Sequence, residues 1–363
     1  MSPLTLVLFV AGIVLLISGA ELLVRGASRL AVAIGVTPLV VGLTVVAFGT
    51  GSPELAVGLQ ATFAGNADIT VGNVIGSNIF NVLFILGISS LVVPLVVSQQ
   101  LVRLDVPLMI IASLSLLLMS YDGVIGRTEG FVLLCAGFGY TWLLIRISKV
   151  ETARVKSEYE QAYGVTEARR PTAWLVHTLL ILAGLTLLVI GADWLVDGAV
   201  AIASALGVSE LIIGLTVIAA GTSLPEVATS VIAGIRGERD IAVGNVVGSN
   251  LFNILVVVGT TGFVAPAGLE VAAPAINFDL PVMVAAAVLC LPIFFLRYRI
   301  TRWDGALFLS YYIFYTLYLI LAASEHDALP AFSRIMVYLV IPLTIGTVAI
   351  AVLRDLLRRR PPA

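Results

Sequence analysis

GLTVVAFGTGSPE at residues 42–54 returns as GLTVIAAGTSLPE at residues 214–226, and VGNVIGSNIFN at residues 71–81 returns as VGNVVGSNLFN at residues 243–253. Extending the same offset lays residues 19–94 over 191–266 without a gap, with about half of the positions identical, so the chain is built from two related halves. Around these motifs the sequence is a series of apolar runs of about 20 residues, the length a helix needs to cross a hydrocarbon core roughly 30 Å thick. The runs predict helices near 4–24, 37–63, 70–93, 104–122 and 128–148, then near 172–196, 210–234, 241–264, 278–297 and 303–323, with an eleventh near 335–353. Five helices per half is an odd number, so the second half enters the bilayer upside down relative to the first. The expected fold is an all-α polytopic membrane protein: an inverted five-helix repeat at 1–148, a linker at 149–171, its partner repeat at 172–323, and an extra helix with a basic tail at 324–363.

Composition agrees. Of 363 residues, 60% are hydrophobic and only 12% charged, and the mean hydropathy is +1.09, more apolar surface than a soluble chain of this size can bury. A net charge of -2 excludes binding of nucleic acid through a strongly basic surface. Cys135 and Cys290 both sit in apolar runs, which leaves no basis for a disulfide scaffold or a thiolate metal site. If the first helix runs from outside to inside, all but two of the 20 Lys and Arg residues fall on the inner side, Arg127 and Arg334 being the exceptions. This positive-inside bias predicts an external N-terminus, a cytoplasmic linker and a cytoplasmic C-terminus, with Arg25 and Arg29 in the loop after the first helix.

The repeated motifs hold the chemistry. Glu54 and Glu226 lie inside long apolar runs, where a charge costs about 2.5–3.5 kcal/mol on insertion scales and calls for a compensating partner. Each follows a helix-breaking string, residues 49–53 and 221–225, in which glycine tolerates unwinding and proline removes a backbone donor. Carbonyls are thereby freed, Ala47 and Ala219 being placed to offer theirs. The second motif contributes Ser77, Asn78 and Asn81 with Ser249, Asn250 and Asn253. Carboxylate, hydroxyl, amide and carbonyl oxygens without His or Cys form a hard-cation set, suited to calcium or sodium and less to magnesium, which sheds water reluctantly. Other polar residues read as peripheral. His177 and His326 fall near expected helix ends and are expected to be interfacial or exposed. Glu21 with Asp193, and Asp68 with Asp240, also fall near expected ends, as solvated or capping groups. Gly19, Gly26, Gly191 and Gly198 point to close helix packing.

The paired G-T-x-x-P-E and G-S-N-x-F-N motifs resemble the calcium/cation antiporter superfamily, particularly prokaryotic sodium/calcium exchangers, over nearly the whole chain except the eleventh helix and tail. The resemblance implies a multi-pass protein of the inner (plasma) membrane that exchanges calcium for sodium by alternating access, with the ions as substrates and no cofactor. It implies that Glu54, Glu226, Thr50 and Thr222 hold calcium, and that Ser77, Ser249, Asn81, Asn253, Ser223, Ala47 and Ala219 contribute to sodium positions. Family members commonly carry a serine where this chain has Gly51; Ser52, the next residue, replaces it only if the helix break redirects it. Asn253 stands where the potassium-dependent branch, and some prokaryotic exchangers, carry Asp; a neutral amide there argues against potassium co-transport and leaves the cavity with two carboxylates. Calcium/proton exchange, with the two glutamates as proton carriers, is the alternative within transport, and a cation channel is the alternative of another class. No nucleophile–base constellation, phosphate loop or redox motif supports an enzyme.

Overall fold

A computed structural model describes residues 3–150, 171–296 and 298–358. The first half holds α1 (Leu4–Ile34), α2 (Pro38–Thr50), α3 (Ser52–Phe63), α4 (Asp68–Val92), α5 (Leu101–Met119) and α6 (Arg127–Ser148). The second holds α7 (Trp174–Ala205), α8 (210–221), α9 (Leu224–Ile235), α10 (Arg239–Val264), α11 (Ala275–Phe295) and α12 (Arg302–Ala323), followed by α13 (Leu329–Arg354). Among the described residues nine of these are long and apolar enough to cross a membrane alone. The bent pair α2–α3 makes a tenth span, and α8 with α9 holds the matching place in the second half.

Two expectations are corrected here. The first helix continues to Ile34 and its counterpart to Ala205, so Arg25 and Arg29 lie on a helix and not in a loop. Nothing in residues 24–34 breaks a helix: there is no proline, and Gly26 is needed for packing. The chain turns at Gly35, whose φ of +71° is a left-handed conformation natural to glycine. Most of the expected linker, 151–170, lies outside the described residues.

The packing of α1 on α7 explains these long helices and also demonstrates the inversion. A Cβ added at Gly12 would sit 2.8 Å from the Gly191 carbonyl, one at Gly19 would sit 2.7 Å from the Gly184 carbonyl, and one at Gly26 would sit 2.9 Å from the His177 carbonyl. Partner numbers fall as those on α1 rise, so the first helices of the two halves run antiparallel. Small residues let the two backbones meet, as the glycine pattern predicts. His177, packed into this seam, is buried and not interfacial, whereas His326 is exposed.

Two short strand pairs repeat the inversion at the membrane faces. Leu95 pairs with Ile300, and Ile125 pairs with Leu269, both antiparallel. Each pair joins a loop of one half to a loop of the other. The pairing puts the α4–α5 and α11–α12 loops on one face and the α5–α6 and α10–α11 loops on the opposite face. In the centre, α10 is buried almost throughout, while α13 packs only at the periphery. π-helical turns recur at matching places in both halves: Gly42–Val46 with Gly214–Ile218, Phe80–Ile85 with Asn253–Val258, and Leu101–Asp105 with Ala275–Asp279. Such turns often mark functional sites.

Candidate functional site

The break in α2–α3 falls at Gly51 (φ -82°, ψ 0°), where the helix axis bends by 43°. Pro53 then sits in the first turn of α3, where its missing N–H would have had no helical partner, and Glu54 follows beside it. In the second half Ser223 (φ -94°, ψ 7°) occupies the break, with Pro225 and Glu226 opening α9. A helix N-terminus favours a negative charge, so the local fold partly compensates each carboxylate. Both glutamates are 1% exposed.

The two breaks face one another. Thr222 lies beside Glu54, Thr50 lies beside Glu226, and the two carboxyl groups are close enough to interact. Around them, buried oxygens stand without a hydrogen-bond partner among the described residues: Glu54 Oε2, Glu226 Oε2, the hydroxyls of Thr222, Ser223, Ser77 and Ser249, and the Oδ1 atoms of Asn81 and Asn253. A buried acceptor left unsatisfied costs about 1–3 kcal/mol, so eight in one fold is a heavy penalty unless something positive joins them. A cation would satisfy the carboxylate, hydroxyl and amide oxygens together.

Other expected members fall differently. Ala47 accepts the Gly51 N–H at 3.0 Å through its carbonyl, and Ala219 holds the matching place in the last turn of α8. Ser52 is not brought to the cluster, because its hydroxyl donates back to the Phe48 carbonyl at 2.6 Å. The break therefore does not redirect Ser52. A Cβ at Gly51 would meet Phe252 at 2.7 Å and the Ala47 carbonyl at 2.9 Å, so an aromatic ring fills the space that a side chain would need. That ring packs edge-on against Phe48, 5.2 Å between centroids. The cage is thus lopsided: a buried hydroxyl at Ser223 in one half, and glycine covered by Phe252 in the other.

Asn73 and Asn245 went unnoticed in the sequence. The Thr50 hydroxyl lies 3.2 Å from Asn245 Oδ1, and Asn245 Nδ2 donates to Ser230 at 3.0 Å and to the Glu226 carbonyl at 3.4 Å. Residues 245, 249 and 253 are spaced by four, so Ser249 and Asn253 share the face that Asn245 turns toward Thr50 and Glu226. The same spacing relates 73, 77 and 81, and it was the available signal. Asn73 Nδ2, however, is without a partner among the described residues. The halves differ here in packing too. Gly42 closes on Ile241, which is fully buried, and Gly244 on Leu39; the counterparts Ile69 and Gly72 are exposed, Ile69 by 51%. α10 is covered by α2, while the matching face of α4 is open.

Two partly buried Asp–Tyr pairs also escaped the sequence reading. Tyr140 donates to Asp105 at 3.0 Å and Tyr315 to Asp279 at 2.8 Å, tying α6 to α5 and α12 to α11 at equivalent positions. Glu21, expected as a solvated or capping group, lies mid-helix and binds Arg25 at 2.6 Å and Arg236 at 2.7 Å. Asp193, its counterpart, is mid-helix and exposed.

An inverted pair of membrane-embedded repeats closing on a cluster of oxygens defines a secondary transporter core. The sodium/calcium exchanger protein family model matches residues 4–146 and 176–321, and the chain belongs to that family. It is 38% identical over 288 residues to CaxA of Alkalimonas amylolytica, covering 78% of this chain and 88% of that protein. It is 28% identical over 313 residues to the sodium/calcium exchanger MaX1 of Methanosarcina acetivorans, covering 78% and 89%. Its fold is similar to that of the sodium-calcium exchanger NCX_Mj soaked with 2.5 mM Na+ and 0.1 mM Ca2+, with a TM-score of 0.72, 30% identity, and coverage of 89% of this chain and 99% of that one.

Proposed function

We propose that the chain exchanges calcium for sodium across a prokaryotic plasma membrane by alternating access, extruding calcium at the expense of the sodium gradient. The observation that carries this reading is the set of buried, partnerless oxygens around Glu54 and Glu226. Glu54, Glu226, Thr50 and Thr222 are assigned to calcium. Ser77, Ser249, Asn81, Asn253, Ser223, Ala47 and Ala219 complete the sodium positions; Ser52 is left out because its hydroxyl is committed to Phe48. Two carboxylates are neutralised equally by one calcium or by two sodium ions, which makes the two loads alternatives for one site. With the N-terminus outside, as the distribution of basic residues supports, the open face of α4 looks outward and the closed face of α10 inward.

Calcium flux into proteoliposomes under an imposed sodium, potassium or proton gradient is the test. Movement driven by sodium and indifferent to potassium is the expected result; a flux that needs no gradient of any partner ion would indicate a channel. The proton-coupled reading has one observation in its favour: Gly51, walled by Phe252, offers no hydroxyl for a sodium ion, while the glutamates can carry protons. Flux driven by a pH gradient alone, with sodium inert, would replace the main reading.

A further inference from the structure

Asn78 and Asn250 lie outside the assigned ligand set, yet they are 1% and 2% exposed and form a reciprocal clasp across the axis that relates the halves. Asn78 Nδ2 donates to the Asn250 backbone carbonyl at 3.4 Å, and Asn250 Nδ2 donates to the Asn78 carbonyl at 3.4 Å. The second hydrogen of each amide is directed at a methionine sulfur, Met283 at 3.7 Å and Met109 at 3.5 Å. Their donors are used up in this way, which leaves the Oδ1 of each as the acceptor for an asparagine of the other half. Asn78 Oδ1 accepts Asn253 Nδ2 at 3.1 Å, and Asn250 Oδ1 accepts Asn81 Nδ2 at 3.0 Å.

A planar amide whose nitrogen is held has its oxygen on the opposite side, and the oxygens of Asn81 and Asn253 are the ones left buried without partners. Turning Asn253 over would set Oδ1 against Oδ1 and place two N–H donors where a cation is expected, an arrangement unfavourable on both sides.

We propose that Asn78 and Asn250 are positioning residues for the transported ion. Each fixes the amide of the other half's Asn253 or Asn81 so that a carbonyl oxygen, and not an NH2 group, faces the cation. The proposal rests on the exchange reading above and adds the device that keeps two neutral ligands correctly oriented. It also couples the halves, since each asparagine ligand is set by a residue of the opposite repeat.

The test is a double-substitution cycle. In the full-length protein, Asn78→Ala should raise the half-maximal calcium and sodium concentrations for exchange by about tenfold, the cost of one misdirected buried ligand. Asn253→Asp replaces the amide by a carboxylate that offers an oxygen to the cation in either orientation, so Asn78 no longer selects the ligand atom and instead sets its own Oδ1 against a carboxylate oxygen. In that background Asn78→Ala should shift either concentration by less than about twofold relative to Asn253→Asp alone. Asn250→Ala with Asn81→Asp should behave in the same way. Calcium-dependent protection against thermal unfolding in detergent reads ion binding without a gradient, and Asn78→Ser substitutes if the alanine variant does not fold. An equal loss in both backgrounds means that Asn78 only packs the core, and overturns the proposal, as does no loss in the natural background. Should the unsubstituted protein exchange neither ion, the exchange reading itself falls; intact exchange with no coupling in the cycle removes only the asparagine clasp.

Discussion

At the residue scale, the exchange reading makes Glu54 and Glu226 the least replaceable side chains, because each is a buried carboxyl seated at a helix N-terminus and faced by a threonine from the opposite half. Glu54→Gln and Glu226→Gln keep the shape and remove the charge, so both variants should insert and fold while losing about a hundredfold or more in calcium affinity. Calcium uptake into sodium-loaded proteoliposomes measures this, and undiminished uptake by either variant would remove that glutamate from the site. Gly51 gives a prediction of opposite character. Restoring the serine common in the family forces its Cβ against Phe252 and the Ala47 carbonyl, so Gly51→Ser should cost about 1–3 kcal/mol of stability by overpacking and should not strengthen sodium dependence. Adding Phe252→Leu should recover part of the lost melting temperature. A fully stable Gly51→Ser protein with sharper sodium dependence would mean that the ring moves aside freely.

At the scale of elements, α1 and α7 form one antiparallel pair, glycine against backbone, and this pair meets the rest of the core at few charged points. Glu21 of α1 is one of them: it bridges Arg25 on its own helix and Arg236 at the end of α9. Arg236 is about half exposed and the matching positions of the other half carry Ala64 and Asp193, so the tie exists at only one end of the molecule. Exposed ion pairs contribute about 0–1 kcal/mol to stability, too little to move the melting temperature much. The same energy weighs fully in an equilibrium between two packed states separated by a few kcal/mol. Arg236→Gln should therefore leave thermal stability nearly unchanged while altering the rate of calcium exchange several-fold. A change in melting temperature without a change in rate would make the tie purely structural.

At the scale of the whole molecule, the two halves share a fold but not a packing state. Asn245 engages Thr50, Gly42 closes on Ile241, and α2 covers α10; on α4 the equivalent surface at Ile69 and Gly72 is open. Gly72→Cys should accordingly react with a membrane-impermeant thiol reagent applied from outside, and Gly244→Cys should not. Reversal of that pattern would assign the open face to the cytoplasm. The strand pairs set the parity of the loops, so a cysteine at Asp122 should label from outside in intact cells and one at Glu158 should not.

Much of this was legible in one chain because duplication wrote the information twice. The likeness of residues 42–54 to 214–226 marked the broken helices, the odd number of apolar runs in each half required inversion, and an oxygen-only set of side chains pointed to a hard cation. What stayed hidden depends on contacts between segments distant in sequence. Helical periodicity could not say that α1 runs on to Ile34, because Gly26, which reads as a break in the sequence, is packed against the His177 carbonyl of α7 and nothing after it stops the helix before Gly35. Nor could it say that Phe252 fills the space beside Gly51, that Ser52 turns back to Phe48, or that Asn78 and Asn250 clasp across the axis. Each is a matter of which atoms remain unsatisfied or overlap once two helices meet. The duplication, the number of apolar runs and the oxygen-only character of the repeated side chains can all be read along the chain. Which half is closed and which amide oxygens are free emerges from helix packing, because a pseudo-twofold sequence is compatible with either half being the open one, and packing must break the tie.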